Sequence, residues 1–257
     1  MVKTLHNRIV SPAEWLNERE NLLQREKALT RLRDQIAEER RALPWVLISK
    51  PYVFESKNGP VSLEDLFEGR SQLIVSHFMF GPDWEEGCVG CSFGADHVDG
   101  ARIHLENHDV SYVAISKAPY SKIETFKKRM GWKFRWVSSF ENDFNADFFV
   151  SWPKQEVENG KVFYNYKMQN VFREEMNGIS VFYKDEDGLI YHTYSAFARG
   201  TEELAGTFIY LDLTPKGRNE TGPGFNLTDW VKHHDKYESS HVNLFQANGK
   251  ADSSCCH

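Results

Sequence analysis

The sequence predicts an α/β domain with a mixed central sheet flanked by helices and a long helical arm at its N-terminus. Three observations carry that reading. Strand-like runs alternate with helical spacing from about residue 50. Two continuous apolar runs, residues 72–80 and 110–115, read as buried parallel strands joined by a right-handed helical crossover. Residues 179–183 and 189–194 flank the turn Lys184-Asp-Glu-Asp-Gly188 and form the clearest antiparallel hairpin of the chain.

The arm comes first. Ser11 is placed to cap a helix, Pro12 suits its first position and Glu14 completes a capping box, while Pro44 closes it. Between them Trp15, Leu22, Leu29, Ile36 and Leu43 recur every seven residues on a heavily charged helix. Such a stripe needs a surface to cover, either its own domain or a second copy, so a homodimer through this helix is one expectation. The arm is placed at 1–45, the main domain at 46–237 and a polar tail at 238–257.

Within the domain, residues 52–54 open a strand and 61–67 a helical turn. Helical spacing runs from Cys88 to about His108, weakened by Gly94 and Gly100. Residues 120–130 read as a helix with Ile123, Phe126 and Met130 on one side, ended by Gly131. Residues 138–177 are less regular and read as an insertion before the hairpin. Residues 199–213 add a helix, and 228–237 a last one.

Composition bounds the function. The 257 residues are 40% hydrophobic and 26% charged with a net charge of -6, which gives no electrostatic reason to expect nucleic acid or an anionic membrane. Residues 1–8 lack an apolar signal core and no segment approaches the roughly 20 apolar residues that span a bilayer, so the expected location is the cytoplasm. The glycosylation patterns at Asn219 and Asn226 are then coincidental. Four cysteines are too few and too unevenly placed for a disulfide-stapled scaffold.

Cys88-Val-Gly-Cys91 follows a strand and opens a helix, where unpaired backbone N–H groups and the helix dipole favour a thiolate. Cys88, nearer the helix start, is the expected nucleophile and Cys91 the resolving thiol. Glu85 and Glu86 stand just before the pair and would oppose its ionisation if close. Metal binding is the competing use of the same thiols, with His97, His104 and His108 downstream. On one straight helix, however, His104 and His108 would lie about 24 to 30 Å from Cys88. A zinc site would then need help from another segment, such as His77 or His192, and neither a metal nor another cofactor is expected.

Further residues are candidates for holding substrate. Trp84, Trp132, Trp136 and Trp152 can supply an aromatic wall, and Arg129 and Arg135 can orient an anion. His77 lies in an apolar strand, as a hydrogen-bonded core residue or a proton shuttle. His192, Tyr194 and Arg199, from the hairpin and its exit, can approach the dithiol only if that end of the strand faces it. Cys255-Cys256-His257 reads as a disordered tail or a carrier of a soft metal or electrons.

Several separated strings add a resemblance. Gly59-Pro-Val-Ser-Leu-Glu-Asp-Leu-Phe67 resembles the opening of peroxiredoxin-like domains, and the element order resembles the thioredoxin fold. The set His77-Phe-Met-Phe-Gly-Pro-Asp-Trp84, Cys88-Val-Gly-Cys-Ser92, Ser116-Lys-Ala-Pro119, Arg129-Met-Gly-Trp132, Phe144-Asn145, Asp147-Phe148, His192-Thr-Tyr-Ser195, Ala198-Arg-Gly200 and Trp230-Val-Lys-His-His-Asp-Lys-Tyr237 resembles one thioredoxin-like family, domain of unknown function eight-nine-nine, over about residues 10–237. The resemblance implies a thioredoxin-like scaffold and a dithiol centre, without a substrate. Thioredoxins place a cis-proline before the strand facing the dithiol, whereas Met176-Asn-Gly-Ile179 has none, which disfavours docking of an extended protein substrate. The expectation is a thiol-disulfide oxidoreductase acting on a small disulfide, peroxide or electrophile, re-reduced by an unidentified reductant. The alternatives are a metal- or ligand-binding protein without redox turnover and a thiol-dependent lyase or dehydratase.

Overall fold

The computed structural model describes residues 7–218, 220 and 230–238. Cys255, Cys256, His257, Asn219, Asn226 and the start of the helix expected at 228 lie outside the described residues.

Helix α1 (Pro12–Arg41) begins at the expected capping box. Glu14 N–H donates to Ser11 Oγ at 3.3 Å, and Ser11 N–H donates to the Glu14 carboxylate at 2.9 Å. Strands β1 (Val46–Leu47), β2 (Val53–Ser56), β3 (Gly59–Ser62) and β4 (Gln72–His77) follow, with a 3-10 turn at Glu64–Phe67. Then come α2 (Val89–Ala95), α3 (Val98–Asn107), β5 (Val110–Ser116), α4 (Tyr120–Met130) and β6 (Arg135–Ser138). The insertion holds α5 (Phe144–Asp147), α6 (Lys154–Glu158), β7 (Val162–Tyr164) and β8 (Lys167–Gln169). The hairpin strands β9 (Gly178–Lys184) and β10 (Ile190–Phe197), a 3-10 segment at Ala198–Leu204 and α7 (Gly206–Asp212) complete the order.

Eight strands form one sheet in the order β1-β10-β9-β4-β5-β6-β2-β3. Only β4, β5 and β6 run parallel, because helices cross over between them, while the tight turn at Asp185–Gly188 returns β10 antiparallel along β9. The core order β10-β9-β4-β5, with α2 and α3 inside the first crossover, is the thioredoxin-like arrangement expected from the sequence. Among the described residues no helix is long and apolar enough to cross a membrane.

The strand alternation of β4 sends Leu73, Val75 and His77 into one buried layer. Phe54, Phe67, Phe144 and Phe182 fill the same layer. A second aromatic layer, with Phe78, Phe80, Phe126, Trp132, Phe134 and Trp136, packs α4 and β6 beside the loop that leads to the dithiol.

Four expectations are corrected. The single helix from Cys88 to His108 is two, because the His97 ring bonds the Phe93 carbonyl at 2.9 Å and so occupies the acceptor that the next helical turn would use. The segment at 230–238 is not a helix but an extended strap with one 3-10 turn at His234–Lys236, its polar groups turned toward other elements. The helix expected over 199–213 is split into the 3-10 segment and α7. The insertion is more ordered than its sequence reads, with a core of its own around Val150, Trp152, Val162, Tyr164 and Val171 that also takes in Phe197 of β10.

At the start of β9 a Cβ on Gly178 would lie 2.7 Å from the Phe197 ring, so Gly178→Ala must displace a buried phenyl group. Overpacking of this kind costs about 1–3 kcal/mol. Urea unfolding of that variant should show the loss, and wild-type stability would contradict the close approach.

Candidate active site

The loop between β4 and α2 is held in place before it reaches the cysteines. Phe78 N–H continues the ladder to the Ile115 carbonyl at 2.9 Å, and Ser116 Oγ donates to the Phe78 carbonyl at 2.6 Å. Lys122 Nζ donates to the carbonyls of Pro82 at 2.8 Å and Trp84 at 3.2 Å. Cys88 N–H then returns to the Met79 carbonyl at 2.9 Å, tying the dithiol to the carboxyl end of the central strand. Only glycine fits before it: a Cβ on Gly87 would lie 2.7 Å from the rings of both Phe78 and Phe126.

Cys88 occupies the N-cap position of α2 and Cys91 lies in its first turn. Both are free thiols and both are half-buried. Donation from the Cys91 thiol, helped by the backbone N–H groups of Cys91 and Gly90 and by the positive charge of Arg173, lowers the Cys88 thiol to about 6 against the opposing effect of burial. The sulfur closes no side-chain capping bond of ordinary geometry, so the backbone N–H groups add to the thiol's donation as oriented dipoles. Cys91 moves the opposite way. Its proton is held by the bond to Cys88 and by burial, well above the usual thiol range, although Met79 N–H approaches its sulfur at 3.4 Å. The pair therefore shares one proton, which rests on Cys91.

Glu86 does not oppose this ionisation as the sequence suggested. Its carboxylate is engaged by Arg129 at 2.6 Å and Lys236 at 2.6 Å, and His233 stands 3.4 Å away. Arg129 also pairs with Asp235 at 2.8 Å. Arg129 is thus a clamp between the loop and the C-terminal strap and is not free to hold an anion. His233 Nε2 lies 2.9 Å from the Gly87 carbonyl, one residue before Cys88.

The remaining candidates separate. Trp84 is half-buried beside the motif, with the Arg173 guanidinium 5.8 Å from its ring centroid. Trp132 is 7% exposed and spends its indole N–H on Asp96 at 2.8 Å, so it belongs to the core and not to a substrate wall. Trp136 and Trp152 are buried as well, and Arg135 is bound to the Asp65 carbonyl at 2.7 Å. His77 is buried in the layer of Phe144 and Phe182, 2.8 Å from Ser180 Oγ, and desolvation lowers it to about 3. A neutral core histidine results.

His192 pairs with Phe182, which pairs with Leu73, four residues before His77. That places it about 13 Å along the strands from the dithiol end at ~3.3 Å per residue. His192, Tyr194 and Arg199 instead line a separate, mainly apolar pocket of about 760 Å³ with Leu43, Pro44, Val46, Tyr166 and Phe197. Among the described residues no group of three or more His, Cys, Asp or Glu side chains is placed to hold a metal. His97 is bound to Phe93 and Thr207.

Two residues escaped the sequence reading, and both come from the end of the insertion. Glu175 is only 6% exposed, and its carboxylate accepts Phe80 N–H at 3.1 Å, one residue along from the N–H that approaches Cys91. Burial raises it to about 7, and the Cys88 charge adds to the rise. Arg173 is the second. Nothing in an irregular, polar stretch marked either one. The only available signal was their position just before a strand that pairs with β4.

A family model described as bacterial protein of unknown function (DUF899) matches residues 4–237. The chain belongs to that family. Comparison with curated proteins gives no match. Solved structures similar to this family member include peroxidoxin BcpB from Mycobacterium tuberculosis, at 15% identity with a TM-score of 0.42, covering 64% of this chain and 95% of that one. Peroxiredoxin Q from Xanthomonas campestris is similar at 10% identity with a TM-score of 0.43, covering 65% and 94%. These scores are low, and the thioredoxin-like assignment stands on the strand order and register.

Glu175 gives a signed pH dependence. Its folded value lies above the usual carboxylate value, so the favourable protonated state is complete below about pH 4.5 and is lost as pH rises through about 7. In a Cys88→Ser background, which removes the opposite contribution of a depressed thiol together with the thiolate's share of the Glu175 rise, stability should still fall over that range, by up to about 3 kcal/mol. Adding Glu175→Gln should flatten the profile in denaturant titrations, and an unchanged slope would show that the carboxyl is not perturbed.

Proposed function

We propose that the chain is a thiol-disulfide oxidoreductase in which Cys88 attacks and Cys91 resolves, acting on a small disulfide, peroxide or other small electrophile. The observation that carries the reading is the placement of two free thiols at the N-cap and in the first turn of α2, beside a buried carboxyl, and their ionisation tendencies oppose one another accordingly. At neutral pH Cys88 is then largely thiolate, nucleophilic yet close to the ambient pH, which is the favourable range for exchange.

The steps balance. The Cys88 thiolate attacks one sulfur of a disulfide, a mixed disulfide forms and the first thiolate leaves. Cys91 gives its proton toward the ionised Glu175, attacks the Cys88 sulfur and expels the second thiolate, so the substrate gains two electrons and the protein keeps a Cys88–Cys91 disulfide. With a peroxide ROOH, the Cys88 thiolate attacks one oxygen, the O–O bond breaks, ROH leaves and Cys88 becomes a sulfenic acid; the Cys91 sulfur then attacks the Cys88 sulfur, forming the disulfide and releasing the hydroxyl as water. An external thiol must reduce the protein disulfide, which sets the proposed location in a reducing, cytoplasmic compartment.

A small substrate is favoured over an extended peptide because the backbone next to β9 is already taken. Met176 N–H donates to the Val150 carbonyl at 2.9 Å, and Glu175 bridges Ser151, so the insertion occupies the edge where a peptide would pair. Trp84 and Arg173 instead offer a stacking face and a positive charge beside Cys88.

Cys88→Ser should abolish reduction of a small aromatic disulfide, and Cys91→Ser should accumulate the mixed disulfide on Cys88, read by intact-mass spectrometry. Turnover without Cys88, or a Cys91→Ser protein that gathers no adduct, would reject the mechanism.

A further inference from the structure

Helix α1 contains 30 residues, about 45 Å at ~1.5 Å per residue, and none of them is buried. Its described links to the rest of the molecule are sparse: an ion pair from Arg33 to Glu203 at 3.2 Å and the Arg40 guanidinium 4.8 Å from the Tyr194 ring centroid. The seven-residue stripe faces water, with exposures from 44% at Ile36 and Leu43 to 59% at Trp15. An apolar ridge of that length is the mark of an interface.

We infer that α1 pairs antiparallel with α1 of a second copy of this chain, with Trp15 of each copy seated in the apolar pocket at the base of the other's helix. Charge sets the direction. Residues 12–26 carry four carboxylates against two arginines, whereas residues 27–41 carry five cations against three carboxylates. Parallel pairing would place acidic half on acidic half and basic on basic. Antiparallel pairing places opposite signs together and also opposes the two helix dipoles.

The repeat sets the register. Pairing the rungs about a two-fold axis at Leu29 joins Leu22 to Ile36 and Trp15 to Leu43. The same register brings Glu18 to the partner's Arg40 and Arg19 to the partner's Glu39. Three like-charge meetings result: Glu20 with the partner's Glu38 and Lys27 with the partner's Arg31 fall on the outer faces of the pair, and only Arg25 with the partner's Arg33 borders the seam, where Arg33 already has Glu203 as its counter-ion.

Leu43 is the decisive rung because it forms part of the wall of the pocket of about 760 Å³, together with Pro44, Val46, Tyr166, Tyr194 and Phe197. A tryptophan arriving at Leu43 therefore meets an open apolar socket large enough for an indole, and each copy supplies one socket and one plug. The contact is isologous and closes as a dimer. A strict seven-residue repeat gives such a pair a left-handed twist.

Sedimentation of the full chain should give twice its 29.8 kDa mass. The double variant Leu22→Glu, Ile36→Glu changes only exposed positions and should sediment as a folded monomer, while Trp15→Ala should weaken the dimer. Direction is read by cross-linking with the four native cysteines replaced by serine. Copies with Leu22→Cys should cross-link on oxidation to copies with Ile36→Cys and not to themselves. A monomeric wild-type chain, a dimer that survives the double variant, or self-linking of Leu22→Cys copies would overturn the inference.

Discussion

One backbone hydrogen bond, from Cys88 N–H to the Met79 carbonyl, governs the chemistry of this molecule. It returns the loop of residues 80–87 to the end of the central strand and thereby fixes where α2 starts. The bond exists because Gly87 leaves space between Phe78 and Phe126. Without it the N–H groups of Gly90 and Cys91 would have no fixed relation to the Cys88 sulfur, and the two thiols would have no reason to ionise in opposite directions.

Charges around the loop are arranged to protect that asymmetry. Glu86, next to the dithiol in sequence, is spent on Arg129 and Lys236, and the strap that carries Lys236 also brings His233 to the Gly87 carbonyl. The exposed ion pairs contribute little to stability singly. Their effect is local: they remove a carboxylate's field from a thiolate while anchoring the C-terminal segment over the start of α2. Glu175, whose charge is felt by Cys91, is kept poorly solvated, and burial raises its proton affinity toward neutral pH.

Much of the scaffold was legible in the sequence because it follows from local rules. The capping box of α1, the apolar runs of β4 and β5, the Gly131 stop of α4 and the hairpin turn each obey a pattern within a few residues, and the thioredoxin-like order follows from them. The placement of Cys88 and Cys91 at a helix start was legible for the same reason. What escaped depended on long-range packing. The break between α2 and α3 comes from a histidine ring competing for a helical carbonyl, and the strap at 230–238 is extended because its hydrogen-bond partners on other elements are 106 or more residues away in the chain. Trp132 and His192 were misplaced with respect to the thiols because spacing along the chain does not reveal which layer a side chain enters or how far along the sheet it lies. Glu175 was invisible until the insertion folded against the end of β4.

The most direct test of the account is the thiolate absorbance, as a function of pH, of the reduced protein carrying Cys255→Ser and Cys256→Ser, compared with Cys88→Ser and Cys91→Ser in the same background. The account predicts a single thiolate rising with a midpoint near pH 6, absent in Cys88→Ser, with no second thiolate until well above the ordinary thiol range. A first transition at or above the value of a free cysteine, or one that persists when Cys88 is removed, would contradict it.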